Sequence, residues 1–453
     1  MRRPLVRWSS ASRGGLGGRK AAMTFIYVTI VLDTLAFGIL IPVLAPLVVS
    51  FTSSEAEGAL MFGLLLTVWS LMQFLFSPLL GTLSDRFGRR PVLILSAIGL
   101  GLDYIVMALA PNLAWLFIGR VFSGITAASY PTAGAYVADV TPPERRAAAF
   151  GMIGAAWGVG FILGPALGGV LGGIGPRLPF WAAAIMSLAS AGYGFFVLPE
   201  SLPAEVRKPF TWRRANPIGS LTLLRSHRGL LGLASSTFLS FLAFQVLPSV
   251  FVIYAGVRYG WHELQVGLTL TIVGVCNIAV QGVLVKRVIK RVGERRTLYA
   301  GLLGGMAGFL VYGLAPLGWV FLLGIPVFAL IGLSQPALQS LMSRRVTPSE
   351  QGQLQGANAS ILGLTGILGP LLFGLVLSQS IGLSGGVDLR GAPFLLAAGI
   401  MLVSAAVAAQ VTKAETATVA PWGPAPVPDG VEPKGSPPAE SLSDPMEEPS
   451  HDG

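Results

Sequence analysis

The chain has 453 residues, 53% of them hydrophobic and only 11% charged, with a net charge of +10, one cysteine and three histidines. Soluble domains carry about 25% charged residues, so this composition lies outside that class, and the positive charge has to be read by position rather than as a nucleic-acid surface. One cysteine excludes an internal disulfide, and no metal-ligand cluster, cofactor motif or nucleophile motif points to an enzyme.

The N-terminal stretch MRRPLVRWSSASRGGLGGRK, within residues 1–22, is basic. The apolar run behind it is too long for a signal-peptide core and shows no convincing cleavage site, so a cytoplasmic tail leading into an uncleaved first helix is expected. Charged and Pro/Gly turns then divide the chain into twelve apolar segments. In the first part these are about 23–51, 58–82, 91–110, 112–139, 147–174 and 178–198; in the second, 229–255, 264–285, 297–315, 318–343, 353–380 and 391–411. A helix crosses the hydrocarbon in about 20 residues and satisfies its own backbone hydrogen bonds there. The expected fold class is an all-α membrane protein of twelve transmembrane helices.

Lysine and arginine are distributed unequally. Alternate connections hold Arg86, Arg89 and Arg90; Arg145 and Arg146; six basic residues between 207 and 228; six between 286 and 296; and Arg344 and Arg345. The intervening connections hold only Arg177, Arg258 and Arg390. The basic side, with both termini, is expected in the cytoplasm, and the protein in the cell's inner (plasma) membrane. The connection 199–228 separates a bundle at 23–198 from one at 229–412. Residues 413–453, rich in Pro, Glu, Asp and Ser, lack the apolar content to fold and are expected to be disordered. A monomer is expected, with lipid around it.

The two halves echo each other. SYPTAGAYVADVTPPERR (129–146) parallels SQPALQSLMSRRVTPSEQ (334–351), and Pro131 with Pro336, like Gly164-Pro165 with Gly369-Pro370, are 205 residues apart. Repeated six-helix units of this kind describe transporters that rock two halves about a central site.

The turn GTLSDRFGRR (81–90) sets Asp85, Arg86, Arg89 and Arg90 among glycines between two apolar segments. Gly81 permits close helix approach, Gly88 suits a tight turn, and Asp85 can pair with an arginine. The cluster is read as a latch: its ion pairs, with Asp139 as a candidate partner, hold the halves together when the cavity faces outward and break when it opens inward. The plain alternative is basic topology plus a turn, with Asp139 an ordinary helix-end residue.

These residues resemble the signature loop of the major facilitator superfamily, G-x-x-x-D-R-x-G-R-R, which Gly81, Asp85, Arg86, Gly88, Arg89 and Arg90 fit in full. RVFSGITAA, with Arg120 and Gly124, is similar to a second family signature. GFILGPALGG, with Gly160, Gly164, Pro165, Gly168 and Gly169, is similar to the family's antiporter motif. Within the family the chain most resembles the tetracycline/proton antiporters, as in LDTLAFGILIPVLAPL (32–47) and PALQSLMS…QGQLQG (336–356). The resemblance implies two six-helix bundles, rocker-switch alternating access and export driven by the proton gradient, without a cofactor. Two departures count against the metal–tetracycline chelate as substrate. Gly304 and Gly305 stand where those exporters carry an acid in the ninth span, and Asn277 stands where they carry a histidine; Gln281 matches their glutamine. The signature loop is altered in the second half to VKRVIKRVGERR (285–296), with Lys290 in the acid's place.

Ionisable residues inside a bilayer are rare and are functional candidates by default. Asp33 lies roughly 15 Å along the first span, Asp103 roughly 18 Å along the third, and Arg120 descends to a similar level from the other side. Opposing effects of burial and a nearby guanidinium on a carboxyl group are expected to make Asp33, Asp103 and Arg120 the proton-coupling site. The resemblance agrees, since both acids occupy positions that tetracycline exporters use. The alternative is a static ion pair that fixes helix packing. Gln245, Asn277, Gln281 and Gln339, with Tyr104 and Trp157 as aromatic walls, are candidates for binding a small-molecule substrate, or else interhelical hydrogen-bonding residues. The glycines at 160, 164, 168 and 172 share one helix face and are expected to seal the two halves. The leading expectation is a proton-coupled exporter of a small amphipathic drug; a metabolite transporter of the same fold and a non-transporting membrane sensor remain open at this stage.

Overall fold

The structure, a computed structural model, describes residues 16–127, 129–207, 219–226, 229–347, 349–383 and 388–418. The expectations for most of the basic tail, the centre of the 199–228 connection and the acidic tail beyond 418 lie outside the described residues.

Every regular element among the described residues is helical. The first half runs α1 (Leu16–Val49), α2 (Glu55–Phe87), α3 (Arg89–Leu109), α4 (Leu113–Thr126), α5 (Ser129–Val140), α6 (Pro143–Ile174) and α7 (Leu178–Val197). After the short α8 (Leu223–Ser226) come α9 (Leu230–Phe244), α10 (Val246–Tyr259), α11 (Glu263–Ala279) and α12 (Val285–Leu314). The chain ends with α13 (Gly318–Ala329), α14 (Ser334–Ser343), α15 (Gln351–Gly382) and α16 (Ala392–Thr418).

Ten helical stretches among the described residues are long and apolar enough to cross a membrane, against twelve expected. The difference has two local causes. The expected segment 112–139 divides into α4 and α5, each short by itself. In the other case, 264–285 and 297–315 form one continuous stretch, Glu263–Leu314, whose backbone leaves helical geometry only at Gly293.

Proline accounts for most breaks inside apolar segments, because it cannot donate to the carbonyl four residues back. Pro131 removes the bond to Ala127, where α4 ends. Pro336, its repeat partner, removes the bond to Gly332, inside the 3₁₀ turn Leu330–Leu333 between α13 and α14. Pro248 frees the carbonyl of Phe244, where α9 gives way to α10 at Gln245. Between α11 and α12 the helix widens into a π turn at Val280–Leu284.

The glycine stripe of α6 corrects one expectation. Gly160, Gly164, Gly168 and Gly172 pack against α1 of the same half, at Thr34, Gly38, Ile39 and Val43, and Gly172 at the end of the stripe also meets Glu263 of the second half. A Cβ on Gly164 would fall 2.7 Å from the Gly38 Cα, a backbone atom that cannot move aside. The other face of α6 crosses to the second half: a Cβ on Gly169 would lie 2.6 Å from the Glu263 carbonyl, and the Pro165 carbonyl crowds Gly267. The matching seam joins α2 to α15, where a Cβ on Gly63 would lie 2.5 Å from the Pro370 carbonyl and one on Gly374 3.0 Å from that of Ala59.

Both seams open toward the arginine-rich end. On α6, Gly158 meets Ile278 of α11 at 3.4 Å, but Gly154 and Gly151, one and two turns further along the same face, meet nothing within 4 Å. Gly282 beyond Ile278, and Gly81 and Gly352 on the α2–α15 side, likewise face open space. The helices therefore diverge toward the basic turns and converge at the other end.

A candidate solute cavity beside a buried ion pair

Between the seams lies a cavity of about 230 Å³ with walls from both halves. Its lining is mainly aliphatic and aromatic, including Phe37, Trp69, Phe161, Phe244 and Phe328. Polar side chains interrupt it at Ser70, Arg120, Gln245, Thr269, Asn277 and Tyr312. Among the described residues Arg120 is the one charged residue in the lining. A mostly apolar cavity with a few convergent polar groups suits an amphipathic molecule.

Arg120 reaches the cavity wall from α4, and behind it Nη2 donates to Asp103 Oδ2 of α3. The Asp103 side chain is fully buried and that of Arg120 5% exposed. Arg120 Nη2 also lies 3.3 Å from Met107 Sδ, one turn beyond Asp103. Glycine permits the approach: a Cβ on Gly119 would lie 2.5 Å from Asp103 Oδ1. A buried charge is tolerated when it is paired, which Oδ2 and Nη2 supply, but Asp103 Oδ1 and Arg120 Nε are buried without a hydrogen-bond partner among the described residues, so the pair is only partly satisfied.

Asp33 opens onto a neighbouring pocket of about 100 Å³ formed with Thr29, Thr34, Ala133 and Trp157. Phe37 is common to both spaces and stacks on Trp69, with ring centroids 6.1 Å apart. Trp157 stacks on Phe161 at 5.6 Å, so an aromatic pair also links the two walls on the α6 side. The expected proton-coupling residues are thus found in two compartments, Asp103 with Arg120 and Asp33 beside them.

Of the expected substrate residues, Gln245 and Asn277 line the cavity and Trp157 lines the Asp33 pocket. Three do not fit that role. Tyr104 is 4% exposed and packs in the main core. Gln339 accepts a 2.6 Å hydrogen bond from Asn358 and serves to join α14 to α15. Gln281 falls in the π turn, is exposed, and lies outside the cavity lining. Asn277 and Gln281 do share a helix face, since a Cβ on Gly332 would lie 3.8 Å from Asn277 Oδ1 and 3.5 Å from Gln281 Cγ, but Gln281 is one turn beyond the cavity. Ser70 and Thr269 were not anticipated, since single hydroxyl residues in apolar runs give no signal.

At the basic turn, Gly88 has φ +110°, a conformation that favours glycine. Arg89 donates to Asp85 at 2.6 Å, to Ser84 Oγ at 2.6 Å and, through Nε, to Asp139 Oδ2 at 3.2 Å. Asp139 also accepts from Ser201. Glu200, overlooked in the sequence, sits against the start of α3 and accepts from the backbone N–H groups of Arg89 (2.8 Å), Arg90 (3.3 Å), Ser201 (3.0 Å) and Leu202 (3.1 Å). A carboxylate at a helix N-terminus satisfies otherwise orphaned donors and complements the helix dipole. Arg90 donates to the Phe195 carbonyl at 2.6 Å, and Arg86 lies 5.1 Å above the Phe87 ring. These partners belong to the first half or to the start of the 199–228 connection, so in this open conformation the cluster ties that connection to the first half rather than bridging to the second.

At the family acid's place in α12, a Cβ on Gly304 would fall 2.6 Å from Leu330 Cβ and one on Gly305 3.1 Å from Ile331. No group of three or more His, Cys, Asp or Glu that could hold a metal ion occurs among the described residues.

The family profile of the Major Facilitator Superfamily matches residues 26–370 and 233–440. The class C tetracycline resistance protein of Escherichia coli is 38% identical over 79% of this chain and 90% of its own length. The crystal structure of the human organic anion transporter MFSD10 (TETRAN) is 26% identical and covers 86% of this chain and 99% of that one, with a TM-score of 0.64. A bacterial homolog of the human lysosomal transporter Spinster, inward-facing and unoccupied, has a TM-score of 0.69 over 91% of this chain and 100% of that one. At 16% identity that likeness is of fold alone.

Proposed function

The chain belongs to the major facilitator superfamily, and from that premise we propose that it is a proton-coupled exporter carrying a small amphipathic drug, tetracycline-like or broader, outward across the inner (plasma) membrane. It crosses the membrane twelve times in two bundles of six. On this reading α4 and α5 are one crossing bent before Pro131, and Glu263–Leu314 is two crossings joined at the Gly293 turn. Both termini and the basic turns lie in the cytoplasm. The open seams at that end make this the inward-facing state, in which the cavity loads solute from the cell. Closing the basic end and opening the other completes alternating access.

One observation carries the coupling: Arg120 lines the solute cavity while its carboxylate partner, Asp103, is buried directly behind it. Solute and proton exclude one another at this site: solute is held while the acids are ionised, and a proton arriving on them releases it, so the two cross in opposite directions. Asp33, across Phe37 in the adjoining pocket, supplies the step between water and the pair. The gradient drives the cycle without any cofactor. The identity to tetracycline resistance proteins supports drug export, and the small residues at 304 and 305 support a substrate that needs no acid there.

Drug accumulation in cells and acid-driven uptake into everted vesicles test this against a panel that includes tetracyclines. Wild type should lower accumulation of at least one compound and dissipate a proton gradient when that compound is added; Asp33→Asn and Asp103→Asn should do neither. Full export by both variants at normal expression would remove the mechanism.

A further inference from the structure

The charges that border the solute space lie in separate compartments. Arg120 lines the larger cavity, and Asp33 lines the smaller pocket of about 100 Å³ beside it. The two spaces meet at Phe37, one turn beyond Asp33 on α1, which lines both and is 38% exposed. Thr29, one turn before Asp33, also lines the smaller pocket. Thr29 is only 5% exposed, and its Oγ1 is buried without a hydrogen-bond partner among the described residues. Thr34, by contrast, donates to the Ile30 carbonyl at 2.6 Å, which leaves its oxygen lone pairs as acceptors. A buried hydroxyl is nearly always partnered, so an orphaned one in a pocket wall marks a place for a polar group from outside.

An ammonium group answers this chemistry. It is repelled by Arg120 in the larger cavity and drawn to the Asp33 carboxylate. Its N–H groups have acceptors in Thr29 Oγ1 and Thr34 Oγ1. Phe37 and Trp157 add aromatic walls, which attract a cation and not an anion. A small inorganic cation fits less well, because it wants oxygen on every side and rings do not supply it. At about 100 Å³ the pocket takes a head group and not a drug-sized body, whose sites begin at about 300 Å³; together the two spaces reach that size. From Asp33 to Phe37 the helix rises about 6 Å, a distance that a short alkyl arm spans.

We propose that the solute is an amphipathic amine whose ammonium head enters the Asp33 pocket past Phe37 while its apolar body lies in the larger cavity. Asp33 and Thr29 then hold the head directly and set the preference for a cation, and Phe37 decides which heads pass. This rests on reading the larger cavity as the solute site, but not on proton coupling or on the direction of transport.

Equilibrium binding tests this without any gradient. The probes are dansylcadaverine, an apolar ring system with an amine on an alkyl arm, and its N-acetyl twin, which is neutral. Energy transfer from tryptophan to the dansyl group reports binding to purified full-length protein in detergent at about pH 8. Wild type should bind the amine about ten-fold more tightly than the twin, the worth of one charge-assisted contact. Thr29→Val keeps the side-chain shape and should cut that preference about three-fold, whereas Asp33→Asn should abolish it. The ratio of the two affinities is the reading, because the twin shares the body and reports an intact cavity. Equal affinities in wild type, or a preference unchanged in either variant, would overturn the proposal. Should Asp33→Asn fail to fold, Thr29→Val carries the test alone. Amine preference in a protein that exports nothing would leave the subsite standing and remove only the exporter; export with no such preference would do the opposite.

Discussion

The two halves of the molecule solve the same packing problem with different chemistry. In the first, α3 and α4 are joined through Asp103 and Arg120, a charged pair sealed from solvent. In the second, α9 and α16 are joined through Ser236, Ser240 and Ser404, whose hydroxyls lie 2.8 and 2.9 Å apart across the interface. Both arrangements pair polar groups away from water, though Asp103 Oδ1 and Arg120 Nε are left without a partner among the described residues, and only the charged arrangement can change state when a proton arrives. On the proposed mechanism switching falls to the first half, and the second, with the neutral Gln245 and Asn277 at the cavity, gives passive support.

The largest effect should come from dividing the ion pair. Arg120→Ala or Asp103→Leu leaves one buried charge alone, a change that costs about 3–5 kcal/mol, so thermal melting in detergent should fall steeply and export should vanish. The double variant Asp103→Asn with Arg120→Gln should recover much of the melting temperature without recovering export. Recovery of both would show that the pair is only packing.

Next in size is the α1–α6 contact. Gly164→Ala places a Cβ against the Gly38 backbone and should cost about 1–3 kcal/mol. Gly154→Leu, facing open space in the same helix, should leave melting unchanged but slow transport, because that space closes during the cycle. A transport assay paired with a melting curve separates the two.

Glu200→Gln should cost less, about 1 kcal/mol, as expected for weakening the anion at a helix N-terminus. Limited proteolysis near the basic turn should then accelerate while solute binding in the cavity is unchanged.

How much of this was legible in the sequence follows from the range of each interaction. Most helix positions followed apolar run length, although 264–285 and 297–315 ran together into one stretch and 112–139 divided near residue 127, where Pro131, four residues on, is the cause. Asp103 with Arg120 was legible because a charge in an apolar run demands a partner, and few exist. Glu200 was not, since it lies 111 residues from Arg89 and binds backbone N–H groups that any sequence would present. Gln281 shares the face of Asn277 as its spacing predicts, but a spacing does not say how far along that face the cavity extends. The α6 glycines showed that a close contact exists, but a stripe does not say which neighbour fills it; that α1 does so is decided by Gly38 on the opposing helix.

The smallest expected effect is the sharpest comparison. Ser404→Ala removes one hydroxyl from a buried trio, yet Ser236 Oγ still has the Ser404 carbonyl at 3.2 Å and Ser240 Oγ the Ser236 carbonyl at 2.8 Å. Donors that keep a backbone acceptor lose little, so the cost should be about 0.6 kcal/mol, typical of interhelical hydrogen bonds in a membrane. Asp103→Asn also alters a single polar group at a buried helix contact, but it strands a guanidinium that has no second carboxylate to turn to among its hydrogen-bond partners. Export should therefore survive Ser404→Ala at near wild-type rates and be lost in Asp103→Asn. If Ser404→Ala abolished export at normal stability, the second half would have to switch as well, and the division of labour between the halves would fail.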